Sequence, residues 1–166
     1  MLVFSEFMYK VSIYNLSTKS VVQIKGPKFS STKGCSFNSN GKFMALIEKH
    51  DCKEYLSIYY VADWKIVNTF ALDLFDAVEV RWSPNDSYIA IWDNCINYRM
   101  LIFCHANGLI RKYEPYNDAL GIKSVEFSRN SLFLAIGSFD EKIRLLNALT
   151  WKEIGELDCS LPFINS

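Results

Sequence analysis

A ten-residue pattern occurs three times in this chain, and each copy starts 45 residues after the one before it. Every copy has an aromatic residue, a polar turn, a second aromatic residue, and then an apolar residue, an alanine and another apolar residue. The copies occupy residues 37–46, 82–91 and 127–136. Self-similarity at a fixed period of this length is the signature of repeat architectures, so we expect a fold built from one small unit used repeatedly.

The middle copy shows that the unit is a β-hairpin. Val78, Val80 and Trp82 alternate with charged residues, which is the pattern of a half-buried strand. Residues 83–86, Ser-Pro-Asn-Asp, predict a turn. The apolar run 88–92 then predicts a second strand that is covered on both faces.

Two further strand-like runs follow each hairpin, which gives four short strands in each unit of about 40–45 residues. The runs lie at 55–61 and 66–70, at 99–104 and 109–113, and at 142–147 and 154–157. A helical array would need apolar residues at a 3.6-residue period over a long stretch, and the sequence has no such run. We therefore predict an all-β fold made of four-stranded propeller blades.

The unit resembles the WD repeat, in which a Trp-Asp pair usually ends the third strand of each blade. The pairs at that place here are Tyr14-Asn15, Tyr59-Tyr60, Phe103-Cys104 and Leu146-Asn147. The Trp92-Asp93 pair ends a second strand instead, and the chain has no Gly-His pair. The buried Asp-His-Ser/Thr-Trp hydrogen bonds of WD blades cannot be transferred to this sequence, so the fold prediction depends on the period and the strand pattern.

The repeats divide the chain into a partial blade at 1–26, complete blades at 27–73, 74–117 and 118–157, and a tail at 158–166. The partial blade holds only the second to fourth strands, so we expect an incomplete WD-repeat-like propeller of about three and a half blades, a piece of a larger one. Closure with four blades would need a strand that the chain lacks, whereas two copies would make a seven-bladed ring. The terminal blades should expose apolar faces, and we expect the isolated chain to oligomerise or aggregate.

Four segments, 16–28, 51–59, 120–128 and 133–152, carry a closer resemblance. Together they are similar to the WRAP family of centrosomal WD-repeat proteins, named for a gene that lies antisense to a tumour-protein gene. The similarity runs nearly end to end and falls in the middle of that family's chains, which have further repeats on both sides. It implies a scaffold at centrosomes or spindle poles that organises microtubule minus ends with a coiled-coil anchoring protein and, in some lineages, a minus-end-directed kinesin.

Composition argues against several kinds of partner and site. The chain has 18 basic and 18 acidic residues, so its charge favours neither nucleic acid nor an anionic membrane. No apolar run approaches the ~20 residues of a membrane span, and the N-terminus lacks the pattern of a signal peptide, so we expect a cytoplasmic or nuclear location. Five cysteines without a C-x-x-C pair predict neither a disulfide framework nor a zinc site. No motif predicts a catalytic residue, a cofactor or a metal.

Two groups of residues are candidates for contact with a protein partner. Trp64-Lys65 and Trp151-Lys152 occupy the same place before a fourth strand, and fourth strands lie at the propeller rim. An exposed Trp there would be an anchor, whereas the alternative is that each Trp packs on the third strand of its own blade.

The second group lies in the predicted polar loop 48–54, whose Lys49, Asp51, Lys53 and Glu54 mix both signs of charge in a way that suits a protein partner. A similar loop is predicted at 93–97. The acidic residues of these loops and of the third hairpin are expected to be solvated; they are Glu48, Asp51, Glu54, Asp93 and Asp140.

The sequence therefore predicts a non-enzymatic scaffold for protein–protein interaction, with the centrosomal setting supplied by resemblance. A WD-repeat adaptor of another class, such as a ubiquitin-ligase substrate receptor or an RNA-processing scaffold, is the alternative. An enzyme on a propeller would need a polar cluster converging on the central channel, and no such set recurs at repeating positions.

Overall fold

The computed structural model describes residues 2–6, 10–28, 32–115 and 120–159. These residues form fifteen strands in four antiparallel sheets, one with three strands and three with four. Apart from a short 3₁₀ turn at Thr32–Gly34, the described part contains no helix. None of it offers a helix long and apolar enough to cross a membrane.

The strands of each sheet pair in chain order, without crossovers. The first sheet contains β1 (Leu2–Glu6), β2 (Lys10–Tyr14) and β3 (Val21–Lys25). The second contains β4 (Cys35–Phe37), β5 (Phe43–His50), β6 (Lys53–Tyr60) and β7 (Lys65–Ala71). The third contains β8 (Ala77–Trp82), β9 (Ile89–Asp93), β10 (Met100–Cys104) and β11 (Gly108–Tyr113). The fourth contains β12 (Ile122–Phe127), β13 (Phe133–Ser138), β14 (Lys142–Asn147) and β15 (Glu153–Asp158). This arrangement confirms the prediction of an all-β, WD-repeat-like set of blades.

Hydrophobic clusters lie between successive sheets and hold them face to face. Met44 of β5 belongs to the cluster shared with the first sheet, whereas its neighbour Ala45 belongs to the cluster shared with the third sheet. In the same way, Ile89 faces the second sheet and Ala90 faces the fourth. These strands are apolar nearly throughout because both of their faces are covered, which is what the run 88–92 predicted.

Polar contacts join the first strands of the four-stranded sheets. Ser36 of β4, Arg81 of β8 and Glu126 of β12 are equivalent residues, spaced by the 45-residue period. The Arg81 guanidinium pairs with Glu126 of the next sheet and with Glu79 of its own strand. The Trp82 indole donates to the Ser36 carbonyl over 3.0 Å. Side chains of β8, the first strand of the third sheet, therefore link that sheet to both the second and the fourth.

The fourth sheet has one face that packs on the third sheet and one that does not. Ala135, Gly137, Ile143 and Leu145 lie on the second face, because they alternate with the buried residues of β13 and β14. The corresponding residues of the third sheet are buried against the fourth, whereas Ile143 is 36% exposed. This face presents apolar side chains to solvent in the described structure.

Candidate protein-interaction surfaces

The order of the strands places the predicted contact residues at two opposite ends of the sheets. One end, here called the hairpin end, carries the turns at 51–52, 94–99 and 139–141 and the linkers at 72–76 and 120–121. Lys49, Asp51, Lys53 and Glu54 lie near this end. The opposite end carries the turns that enter β7 and β15, and with them Trp64, Lys65, Trp151 and Lys152.

Residues 48–54 are not a loop, so this prediction was wrong. β5 continues to His50 and β6 starts at Lys53, which leaves Asp51 and Cys52 as a two-residue turn. Their φ angles are 50° and 61°. Positive φ at both central residues belongs to the turn type that best matches the twist of a hairpin and usually contains glycine. Asp-Cys lacks that glycine, and the sequence therefore gave no hairpin signal here.

Glu54 is not a solvated charge, because it lies 5% exposed between the second and third sheets. Its carboxylate pairs with the buried ammonium of Lys28 and accepts the Ala77 N–H over 2.8 Å. Lys28 also contacts the Asp76 carboxylate at 2.7 Å and holds the pKa of Asp76 below its usual value. Buried charges are tolerated only where they are paired and hydrogen-bonded, as these are. The cluster fixes the base of the 72–76 linker.

Glu48 and Asp93 are also buried, which corrects the expectation that both are solvated. Glu48 accepts hydrogen bonds from the hydroxyls of Ser57 and Tyr59. Burial, and then the hydrogen bond to Glu48, raise the pKa of Tyr59 above its usual value. Asp140 is half-buried and accepts the Arg144 guanidinium at 2.7 Å. Glu48 and Asp93 are therefore structural parts of the blade interiors, and Asp140 is already paired with a cation of its own blade.

Asp93 determines the shape of the 72–76 linker. Its carboxylate accepts the backbone N–H of Phe75 at 3.0 Å and that of Asp76 at 2.6 Å. Phe75 is thereby held at the surface with 70% of its area exposed. The Arg99 guanidinium lies 5.0 Å from the centroid of its ring, which is cation–π distance.

Four charges form a network beside Phe75. Arg99 bonds Glu114 at 2.8 Å, and Lys112 bonds Asp73 at the same distance. The Arg99 hydrogen bond lowers the pKa of Glu114, and the Lys112 hydrogen bond lowers the pKa of Asp73. The two acidic groups of this network are therefore already paired with protein cations.

A groove of about 410 Å³ separates the β5–β6 turn from the linker. Its walls comprise Lys49, residues 52–54 and residues 71–75. Lys49, Cys52 and Lys53 are exposed at its rim. The structure thus brings three of the predicted residues, Lys49, Lys53 and the buried Glu54, to one concave surface. Asp51 lies in the adjoining turn.

Large apolar side chains continue across the hairpin end from Phe75. Ile96 is 73% exposed, Leu120 is 59% exposed and Phe139 is 43% exposed. The backbone joins their loops, because the Gly121 N–H donates to the Cys95 carbonyl at 2.7 Å and the Phe139 N–H donates to the Gly121 carbonyl at 3.2 Å. These four residues, Phe75, Ile96, Leu120 and Phe139, are called the apolar row.

At the opposite end, Trp64 is half-buried in the turn that enters β7. It packs against the cluster between the first and second sheets and lines a groove of about 400 Å³ with residues such as Ile13 and Val22. Lys65 is exposed and lies 3.3 Å from the Asp63 carboxylate. Trp64 and Lys65 are therefore at the surface, as a contact site requires.

Trp151 is not an exposed anchor, because only 6% of it is accessible. Its ring meets Tyr88, the residue before β9 of the third sheet, edge to face, with 4.8 Å between the ring centroids. The same cluster includes Leu146 of the third strand in its own blade. The alternative prediction was that each Trp packs on the third strand of its own blade. It describes the contact with Leu146 but not the contact with Tyr88 beside the neighbouring sheet. Lys152 is exposed beside it.

No local sequence pattern selects Phe75, Arg99 or Lys28 as a functional residue. Phe75 lies in a short linker. Leu72 and Leu74 are half-buried there and alternate with exposed residues, and this alternation is the sequence feature that could have indicated an exposed Phe75. Arg99 and Lys28 depend on contacts between blades that no local pattern reveals. Among the described residues, no three His, Cys, Asp or Glu side chains are grouped so as to hold a metal ion.

Stacked antiparallel sheets with a period of 45 residues define a set of WD-repeat-like propeller blades. The chain is 42% identical, over 92% of its length, to the mouse WD repeat-containing protein WRAP73. It is 21% identical, over its whole length, to an uncharacterized WD repeat-containing protein of Schizosaccharomyces pombe. These matches confirm the resemblance to the WRAP family of WD-repeat proteins. The chain spans about a third of each relative, 33% and 35%, and no protein-family model matches it.

Proposed function

We propose that this chain is part of a non-enzymatic scaffold that anchors microtubule minus ends and organises the spindle at centrosomes or spindle poles. The observation that carries the proposal is the 42% identity to WRAP73 across nearly the whole chain. WD-repeat relatives support a protein-interaction scaffold, and the resemblance to the WRAP family supplies the centrosomal setting. The partners it implies are a coiled-coil anchoring protein and, in some lineages, a minus-end-directed kinesin.

The geometry of the hairpin end suits such a role. Its groove stands on the second and third sheets, both of which are covered on both faces, and its linker is fixed by the buried Glu54–Lys28 pair and by Asp93. A surface that is ordered before binding loses little conformational entropy when a partner docks. The exposed apolar row and mixed charges resemble the composition of protein interfaces more than that of nucleic-acid interfaces.

Proximity labelling in dividing cells tests the proposal. This chain and full-length mouse WRAP73 are expressed side by side with the same labelling enzyme, and a tag carrying that enzyme alone is the control. We expect both fusions to enrich centrosomal coiled-coil proteins over the control. Enrichment by WRAP73 alone would show that these blades are insufficient. Enrichment of ubiquitin-ligase or RNA-processing subunits in place of centrosomal proteins would favour the alternative adaptor class.

A further inference from the structure

We propose that the groove at the hairpin end binds an acidic peptide segment with bulky apolar residues, supplied by a partner protein. Phe75 is the apolar anchor of this site, and Lys53, with Lys49, is its charge contact. The inference rests on the proposed scaffold function and adds the location and the chemistry of one binding site.

Phe75 has the two properties expected of an apolar anchor residue, because its side chain is exposed and its position is fixed. It is 70% exposed, yet its N–H is held by the buried Asp93, and its ring lies under the Arg99 guanidinium. The next residue, Asp76, is held by the same carboxylate and by Lys28. A large apolar side chain that is both exposed and fixed in place buries area on binding at a small entropic cost.

The charges around the groove select an acidic ligand. Its two carboxylates, Glu54 and Asp73, are already paired with Lys28 and Lys112. Lys53 is exposed, and no acidic side chain of the described residues lies within ion-pair distance of it. The Lys49 ammonium lies 4.0 Å from the Glu54 carboxylate, which is the limit of ion-pair distance, and its side chain is half exposed. Asp51 is exposed in the adjoining turn but does not line the groove. Lys49 and Lys53 at the rim therefore attract a carboxylate, while the two carboxylates that line the groove are already paired.

The dimensions of the site favour a short segment of chain over a folded domain or a free metabolite. A volume of about 410 Å³ lies near the lower end of the range for ligand pockets. Beyond it the apolar row gives further exposed contacts at Ile96 and Leu120. A segment that places one apolar side chain against Phe75 and later ones along the row would use both features.

The test uses three fluorescein-labelled peptides of about twelve residues, a length able to cross the groove and the row. The first peptide alternates Glu and Leu, the second replaces each Glu with Lys, and the third replaces each Leu with Ser. Binding to the full chain is followed by fluorescence anisotropy. We expect the Glu–Leu peptide to bind at least about tenfold more tightly than either of the others. Equal binding of the Lys–Leu peptide, or no saturable binding of the Glu–Leu peptide, would overturn the proposal.

Matched variants locate the site. F75S and K53E should each weaken the Glu–Leu peptide by about fivefold or more. L149S removes an apolar residue that is about equally exposed, at 69%, and K42E reverses an exposed lysine that is not among the candidate contact residues, both at the opposite end. These two controls should leave binding unchanged, and circular dichroism checks that all four variants are folded. Equal weakening by the control variants would show that binding is not at this groove.

Failure of this inference and failure of the proposed function have different signatures. Centrosomal labelling by the intact chain without peptide binding would show that the groove is not a peptide site and would leave the proposed function standing. Selective binding of the Glu–Leu peptide without centrosomal labelling would leave the site standing and remove the centrosomal setting.

Discussion

Trp64 and Trp151 occupy the same turn in two blades, four residues after the third strand ends at Tyr60 and at Asn147. The backbone of the two turns is alike: the φ angles are 57° and 53°, and each Trp N–H donates to the carbonyl four residues earlier, at 2.8 Å and 2.7 Å. The surroundings differ, because Trp151 is 6% exposed against Tyr88, whereas Trp64 is half-buried and lines a groove. The local sequence therefore sets the turn, and the preceding sheet sets the burial.

The equivalent turn of the third sheet has a glycine in place of the tryptophan. Gly108 stands there, also with positive φ, and the ring of Phe70 from the preceding sheet fills the space, 3.2 Å from where a Cβ would lie. Phe70 in turn stacks on Phe103, with 5.5 Å between ring centroids. An aromatic ring closes the gap between sheets in each case, and either sheet can supply it.

The largest difference between the two tryptophans should appear in stability. Removing the Trp151 ring leaves a cavity against Tyr88, so W151A should lower the free energy of unfolding by about 3–5 kcal/mol. W64A removes a ring that is half in solvent already and should cost about half as much. Ala accepts positive φ no better than Trp does, so the backbone contributes little to either value. Urea denaturation followed by circular dichroism measures both, and equal losses would contradict the comparison.

The interface between the second and third sheets includes a carboxylate that bridges two turns. Asp86, in the turn before β9, accepts hydrogen bonds from the Ser39 N–H and hydroxyl and from the Asn38 amide. Ser131 lies 45 residues later, and among the described residues its hydroxyl accepts one hydrogen bond, from the Asn85 N–H at 3.0 Å. We expect D86A to cost about 2–3 kcal/mol and S131A about 1 kcal/mol in the same urea assay.

D86N separates the contribution of the Asp86 charge from that of its positive φ. Asn tolerates the positive φ of 61° at this position but lacks the charge, so D86N should lie between the wild type and D86A. A D86N protein as unstable as D86A would assign the whole effect to the charge-assisted hydrogen bonds.

Gly108 tests whether the space beside Phe70 is as tight as the structure indicates. G108A should cost about 1–2 kcal/mol, because Ala is strained at a φ of 85° and its Cβ lies 3.2 Å from the Phe70 ring. Gly155 is the matched control: no atom lies within 4 Å of a Cβ built there. G155A should be neutral or slightly stabilising. Equal effects of the two substitutions in thermal unfolding would contradict the inferred contact.

The fold could be predicted from the sequence because its signals are local and repeated. Alternation in 78–82 and the 45-residue period specify strands and their order, whatever the sheets contact. The β5–β6 turn was mispredicted because Asp51-Cys52 adopts a conformation that glycine usually marks. Charged residues in 48–54 then looked like a loop, although Glu48 and Glu54 point between sheets.

The candidate surface was harder to predict because it depends on contacts between repeats. Lys53 and Lys49 could be selected as loop charges, but the pairing of Glu54 with Lys28 joins β6 to a residue 26 positions earlier, in the linker after β3. Phe75 is exposed because Asp93 holds its backbone, and that bond also joins different segments. The burial of Trp151 and the exposure of Trp64 also depend on the neighbouring sheet, because the two turns have the same backbone conformation.

The smallest expected effect concerns Cys35, which packs in the cluster with Trp64 between the first and second sheets. Burial raises the pKa of the Cys35 thiol to about 11, so at pH 8 only about one thiol in a thousand is ionised and able to react. Its alkylation should be much slower than that of the exposed Cys52, Cys95 and Cys159. The stability that the protonated thiol contributes is present below about pH 9 and is lost as the pH rises toward 11.

Loosening the Trp64 contact should speed that reaction. We expect W64A to raise the rate of Cys35 alkylation by iodoacetamide at pH 8 by about threefold, a change of ~0.6 kcal/mol in the cost of exposing the thiol. W151A acts on a different interface and should leave the rate unchanged, although it is the more destabilising substitution. Peptide mass spectrometry follows each cysteine, with Cys52 and Cys95 as internal references. If W151A accelerates Cys35 as much as W64A does, the thiol reacts through global unfolding, and the two tryptophans do not close separate interfaces.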